Sequence, residues 1–364
     1  MNQNSASPSK AANNTADQEI ITGVLPPDLV AAQGFDLRAS VARALGHFQQ
    51  LIDNRGETSG HSTGFPELDG LIHGLKPGKV LVIAARPSIG QTSLMLNIAE
   101  HICIDQNVPT LILSARMSAF EMVQRLLFSR ARYALSKFNE GGPPQVGNLQ
   151  RIQRAAYELS HANLIVDDTA DLAIDVWCAK ARHHKLTNDI GFIAIDCCHL
   201  LKSTQAHESK EREAAGVFTT IKCLATELAI PLLVLVQLNN RPAPGTGGQC
   251  GPPRVADFSE GGYIDQDVDM IALLQRDDSY GPAPDNHAAL ILTKNHGGLT
   301  GVVPLTYFAE IGRFESPMRI EEEEQRESWD AHFAEKAKKL HVPTGGSFFE
   351  KKRTMIIADT ICPG

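Results

Sequence analysis

The chain predicts an α/β fold: a mainly parallel, twisted sheet with helices on both faces. Three observations lead there. Short apolar runs of strand length alternate between residues 80 and 308 with segments of helical apolar spacing, and such βα repetition builds parallel sheets. One unit, Val80-Leu-Val-Ile-Ala-Ala-Arg-Pro-Ser-Ile-Gly-Gln-Thr-Ser-Leu94, reads as buried strand, tight turn and helix in succession. A second apolar run, Phe192-Ile-Ala-Ile-Asp196, ends in a carboxylate at the tip of its strand.

Residues 1–34 are rich in Asn, Ser, Ala and Gln without sustained periodicity and read as a disordered arm. Residues 35–62 read as a linker helix and linker. Within them Val41, Leu45, Phe48, Leu51 and Ile52 recur at helical intervals, one apolar stripe. A helix between two linkers must bury that stripe, on its own domain or on a neighbouring subunit. The compact domain, 63–316, begins at Thr63-Gly-Phe-Pro-Glu-Leu-Asp69. Strands are predicted at 80–85, 110–115, 164–168, 191–196, 231–238, 270–276 and 288–294, and a strand at 302–308 is expected to close the sheet. Helices are predicted at 92–105, 119–133, 150–160, 175–185 and 208–228. Residues 317–364, opening with the acidic run Glu321–Glu324, read as a charged helix and tail. No internal repeat is evident.

A length of 364 residues suits one large α/β domain with tails, or two small domains. The net charge of -8 argues against wholesale coating of nucleic acid but permits a local basic groove. The seven cysteines include no C-x-x-C pair, so neither a disulfide framework nor a zinc site is indicated. Cys197 and Cys198 end an apolar run and read as buried thiols. No apolar run reaches the roughly 18 residues a membrane span needs, and the N-terminus lacks a signal-peptide core. A cytoplasmic location is the expectation.

Strand, tight loop and helix form the setting of a phosphate-binding loop, where backbone N–H groups and the helix dipole hold phosphates. The usual pattern is G-x-x-x-x-G-K-[ST]. Here it reads Ala85-Arg86-Pro87-Ser88-Ile89-Gly90-Gln91-Thr92, followed by Ser93. The second glycine and the hydroxyl are present, but Gln91 replaces the lysine that would reach the β- and γ-phosphates. Asp196, at the end of its strand, has the Walker-B arrangement that supports Mg²⁺.

From these motifs outward the chain resembles the C-terminal motor domain of DnaB-type hexameric replicative DNA helicases. The resemblance runs in order from about Thr63 to Glu315. TGFPELDGLIHGLKPGKVLVIAARPSIGQTS looks like the family's leading segment and phosphate loop, and LILSARM its second strand. FIAIDCCHLLK looks like its third strand, and ESKEREAAGVFTTIKCLATELAIPLLVLVQLNN the helix and strand that follow. DFSEGGYIDQDVDMIALLQRDD and LTKNHGGLTGVVPLTYFAEIGRFES resemble the closing segments. The resemblance implies a RecA-like P-loop core, ATP or ADP held by Arg86–Ser93, and Mg²⁺ held by Thr92 and Asp196 when nucleotide is bound. Residues 1–34 leave no room for the family's small N-terminal domain, so its absence is expected. The family also implies a homo-oligomeric ring or a hetero-assembly with a helicase, and contact with single-stranded DNA through two loops. The first carries Lys202, Lys210 and Arg212; the second carries Arg241 and Arg254. Neither loop offers an aromatic for base stacking, so binding there would be electrostatic and sequence-independent.

The departures from the family pattern are the informative part. Arg116 stands where the family has its water-activating glutamate. Lys294 is kept, but His296 replaces the arginine finger, and Ser259 stands at a further family arginine. Asp196, Thr92 and Gln237 remain. A neutral Gln91 brings no charge where charge develops, and removing one such donor costs about 2.7–4 kcal/mol. Losing an arginine finger costs on the order of 10³–10⁵ in rate, roughly 4–7 kcal/mol. An imidazole replaces that charge only when protonated, and a free imidazole is mostly neutral at pH 7. A guanidinium cannot act as a base. These losses do not add simply, yet any two leave hydrolysis near background. Arg116 and Arg86 would then supply phosphate-pairing charge near the vacated lysine position. Two readings follow: a hydrolysis-impaired relative acting as a nucleotide- or DNA-binding or regulatory partner in replication, and an active ATP-driven hexameric DNA helicase.

Overall fold

The computed structural model describes residues 59–134, 136–137, 146–169, 172–204, 207–238, 267–276 and 286–317, with 37, 41–42 and 45–46. The chain divides into two units, Met1–Ser59 and Gly60–Gly364. In the first unit residues 37, 41–42 and 45–46 are helical, and Leu37, Val41 and Leu45 are exposed. Phe48, Leu51 and Ile52 of the predicted stripe, the N-terminal arm and the charged tail from residue 318 lie outside the described residues.

The second unit is organised on a nine-stranded sheet of order β3-β2-β4-β5-β1-β6-β7-β8-β9. The strands are β1 (Val80–Ala85), β2 (Thr110–Ser114), β3 (Leu164–Asp167), β4 (Phe192–Asp196) and β5 (Leu232–Gln237), then β6 (Met270–Arg276), β7 (His287–Asn295), β8 (Gly301–Phe308) and β9 (Arg313–Glu315). From β3 to β6 every pairing is parallel. From β6 to β9 every pairing is antiparallel. Two elements go beyond the sequence reading. The sheet does not close at β8, because β9 adds an edge strand against it. A short helix, α1 (Pro66–Ile72), precedes β1, with proline in its first turn and His73 in the left-handed conformation at its end.

All six residues of β1 are buried, as expected of a central strand covered on both faces. Its side chains alternate between two cores, with the two-residue period of a strand. Leu81, Ile83 and Ala85 face one core with Leu94, Met95, Ile98 and Ile102. Val80, Val82 and Ala84 face the other, with Trp177, Cys178, Phe218 and Ile221. The first core is covered by α2 (Gln91–Glu100) and α3 (Ala119–Arg130), the second by α5 (Ile174–Asn188) and α6 (Lys210–Leu228); α4 (Val146–Ser160) packs on α3.

The expected helix 92–105 is not uniform. Its last turn, His101–Asp105, widens to a π-helix in which Gln106 N–H donates to His101 O at 3.2 Å. An ion-pair network surrounds that turn. Buried Glu100 accepts from Arg130 Nη1 (3.0 Å) and Arg313 Nη1 (3.2 Å), and Arg130 also reaches Asp105 (3.0 Å) and Glu158 (2.8 Å). Burial pushes the Asp105 carboxyl up, but hydrogen bonds from His101 and Arg130 outweigh it and hold it at about 2. The network ties α3, α4 and β9 to the far end of the helix that carries the loop.

Candidate functional site

The strand order puts the C-terminal ends of β4, β5 and β1 side by side, the edge at which open parallel sheets place their ligands. Ala85 ends β1 and Gln91 begins α2, so Arg86–Gly90 must reverse the chain within one tight loop. Two residues adopt left-handed backbone to do so, Ser88 (φ 65°) and Gly90 (φ 102°). Gly90 is required twice over. A Cβ there would stand 3.1 Å from the Phe314 ring and 3.2 Å from Tyr307, besides the strain of its φ. Ile89 is buried and anchors the loop, Pro87 and Ser88 are exposed, Thr92 is half-buried and Ser93 is buried.

Gln91 does not face the loop mouth. Its side-chain nitrogen donates to Ile83 O of β1 (2.5 Å) and to Val236 O of β5 (2.9 Å). Both partners are acceptors, so the NH₂ must face them, and both of its hydrogens are engaged. The residue at the lysine position thus staples two neighbouring strands together beneath the loop. Arg86 is only 7% exposed, so its charge is withdrawn from solvent.

Asp196 ends β4, 1% exposed, level with Ser114 of the adjacent β2. Cys197 follows it in left-handed backbone (φ 67°) and donates from Sγ to Asp196 Oδ1 at 3.2 Å. Burial first, then the Asp196 carboxylate, push the Cys197 thiol up to about 12, against the Arg116 guanidinium, which hydrogen-bonds to it. Burial pushes Cys198 up as well. Both cysteines are buried thiols, as the sequence suggests, and both are held protonated and unreactive. Arg116 lies on the turn after β2, where Ser114 Oγ accepts from Met117 N–H at 3.0 Å and Arg116 N–H at 3.4 Å. Unlike Arg86, Arg116 is exposed. Gln237, half-buried, ends β5 level with Ala85, and Leu238 N–H donates to Ala85 O at 2.8 Å.

Mg²⁺ takes oxygen ligands, commonly one or two carboxylates together with substrate phosphates. Of the expected pair, Thr92 is half-buried, and one Asp196 oxygen accepts the Cys197 thiol, to which the Arg116 guanidinium also hydrogen-bonds. No group of three or more His, Cys, Asp or Glu side chains suited to a metal occurs among the described residues.

Lys294 and His296 lie at the other end of the sheet. Because β7 runs antiparallel to β6, Asn295 pairs with Met270, which in turn lies beside Leu81 at the start of β1. His296, exposed, donates its backbone N–H to Asp269 O at 2.9 Å. At about 3.3 Å per strand residue, this end is roughly 16 Å from the loop. The expected catalytic residues therefore form two groups in one chain: Arg116, Asp196 and Gln237 by the loop, Lys294 and His296 at the opposite edge.

Lys202, Lys210 and Arg212 are exposed. Lys202 bridges to Ala173, Lys210 opens α6, and the Arg212 guanidinium pairs with Glu208. Arg241, Arg254 and Ser259 lie outside the described residues.

Sequence reasoning missed three residues that hold the loop from outside. Arg276, the last residue of β6, donates to Ile89 O at 3.2 Å and lies over the Tyr307 ring at 4.5 Å. Tyr307 of β8 stacks on Phe314 of β9 at 4.3 Å. The aromatic and arginine identities were visible, but only the pairing of β6, β8 and β9 brings them to Gly90.

The sequence model of a family described as the DnaB-like helicase C terminal domain matches residues 60–316. The replicative DNA helicase DnaB of Geobacillus stearothermophilus is 32% identical over 271 residues, covering 73% of this chain and 58% of that protein. The replicative DNA helicase DnaB of Treponema pallidum is 32% identical over 261 residues, covering 72% of this chain and 57% of that protein. The chain thus spans under two thirds of these relatives. A solved ATPase domain superposes with TM-score 0.69 at 27% identity, over 76% of this chain and 98% of that one. A DnaB-like replicative helicase solved to show its interactions with primase superposes with TM-score 0.68 at 24% identity, over 84% of this chain and 76% of that one; it bears on the fold alone. The RecA-like P-loop class expected from the sequence is the class these structures share with this chain.

Proposed function

We propose a function from one premise: this chain belongs to the DnaB-like helicase C-terminal domain family, whose model matches residues 60–316. It keeps the family's fold and phosphate loop but hydrolyses ATP at background rate, and it serves DNA replication as a nucleotide- or DNA-binding, regulatory partner. The motor-type domain spans 63–316, preceded by a linker helix and linker at 35–62.

One observation carries this reading. The side chain at the lysine position is committed to Ile83 O and Val236 O, so neither its hydrogens nor a charge reach a phosphate. Arg116 adds a cation where the family has a base, and His296 an imidazole where it has a finger. ATP or ADP would be held by the N–H groups of Gly90–Ser93 and the positive end of α2.

The separation of Lys294 and His296 from the loop supports assembly. Only a neighbouring subunit could present them to a site, in a homo-oligomeric ring or in a hetero-assembly with a helicase. Contact with single-stranded DNA would fall to Lys202, Lys210 and Arg212, and to Arg241 and Arg254. The reading as an active hexameric helicase has Thr92, Asp196 and Gln237 in its favour.

The test restores lysine at 91, glutamate at 116 and arginine at 296 together. The triple variant is expected to gain ATP hydrolysis by several decades, with size-exclusion chromatography confirming fold and assembly. A folded, assembled variant that stays silent shows that these three positions are not what disables the site.

A further inference from the structure

Resting on the nucleotide-binding reading above, we propose that the Arg116 guanidinium takes the counter-ion role of the divalent cation, so that this site binds nucleoside polyphosphates without metal. Three observations lead to it.

The first is the charge held at the loop. The family pattern sets one cation, the loop lysine, against two carboxylates, and such a site is net negative before a polyphosphate arrives. Here Gln91 is neutral, Arg116 and the buried Arg86 are cationic, and only Asp196 is anionic. The acidic surplus that calls for a divalent cation is gone.

The second is how Asp196 is used. Its Oδ1 accepts the Cys197 thiol at 3.2 Å, and its side chain is 1% exposed. That oxygen already takes a donor from the protein, which a divalent cation or one of its waters would have to share or displace. Cys197 reaches Asp196 from left-handed backbone (φ 67°), an uncommon conformation for a non-glycine residue.

The third is how Arg116 is presented. Ser114 Oγ fixes the turn by accepting from Met117 N–H at 3.0 Å. Asp168 Oδ2 accepts from Ala119 N–H at 2.8 Å and secures the start of α3 just beyond it. The guanidinium therefore leaves a fixed turn at the C-terminal edge of the sheet, exposed to solvent and hydrogen-bonded to the Cys197 thiol beside Asp196. Its planar fork of donors suits phosphate oxygens better than a point charge does.

The test titrates the full chain with N-methylanthraniloyl-ADP, in buffer with magnesium and in buffer with EDTA. Wild type should bind within about threefold of the same affinity in both. Arg116→Ala should weaken binding in EDTA about ten- to hundredfold, the size of a lost charge-assisted hydrogen bond. Arg116→Glu should bind only with magnesium. A thermal melt checks that each variant folds. Wild-type binding that vanishes in EDTA overturns the inference and leaves nucleotide binding standing. Equal affinity of wild type and Arg116→Ala in EDTA also overturns it. No binding in either buffer overturns both the inference and the nucleotide-binding reading.

Discussion

Replacing Gln91 by alanine removes both side-chain hydrogen bonds by which residue 91 bridges the paired strands β1 and β5 beneath the loop. A side-chain hydrogen bond contributes about 0.5–1.5 kcal/mol net, so the pair is worth roughly 1–3 kcal/mol. Ile83 and Val236 are 0% and 5% exposed, and water reaches their carbonyls poorly once the amide is gone. A loss of about 2 kcal/mol is expected, against the roughly ±0.5 kcal/mol of an ordinary surface change. For a domain of this size that corresponds to a fall in Tm of about 4–8 °C. Urea denaturation followed by circular dichroism reads it directly. Two companions fix the sign. Gln91→Lys keeps a donor and should fall between wild type and alanine. Gln91→Glu turns a carboxylate onto two carbonyl oxygens and should be the least stable. An alanine variant as stable as wild type, or a glutamate variant more stable than alanine, refutes the staple.

Other consequences follow from the same geometry. Gly90→Ala brings a Cβ to 3.1 Å from the Phe314 ring at φ 102°, and should lower stability by about 2 kcal/mol or more in the same urea assay. Glu100→Ala strands buried charge on Arg313 and Arg130. Breaking a buried pair costs about 3–5 kcal/mol, and the low end is expected because Arg130 keeps Asp105 and Glu158 and Arg313 keeps Glu315. The Asp105 carboxyl is depressed from 3.8 to about 2. Its contribution is therefore present above about pH 4 and lost as pH falls through about 2. Asp105→Asn should flatten that acid limb of a pH–stability curve and leave the curve near neutrality parallel to wild type.

The parallel core was legible because its strands are covered on both faces. VLVIAA and MIALLQR are near-continuous apolar runs, and both are observed where the sequence put them. Three kinds of feature were not legible. β9 has three residues with one apolar side chain between two charges, too little pattern to separate from a turn; its place is set by pairing with β8. The π-turn at His101–Asp105 sits on a continuous helical pattern, and its partners Arg130 and Arg313 lie far off in sequence. The third is direction at the candidate site. The sequence shows that a neutral amide replaces a lysine, but not that the amide turns inward. That outcome depends on two strand carbonyls, Ile83 O and Val236 O, that meet only in the folded sheet. The same holds for Arg86 and Arg116, which read alike as phosphate-pairing cations. The fold buries the first and exposes the second.

The most direct measurement is steady-state ATP turnover by the purified, unaltered chain, with magnesium, in the presence and absence of single-stranded DNA. With no base at position 116 and no charge delivered by residue 91, turnover should remain at background in both conditions and be unchanged by Asp196→Ala. Turnover on the order of 1 s⁻¹, abolished by Asp196→Ala, would contradict a silenced site and identify an active motor.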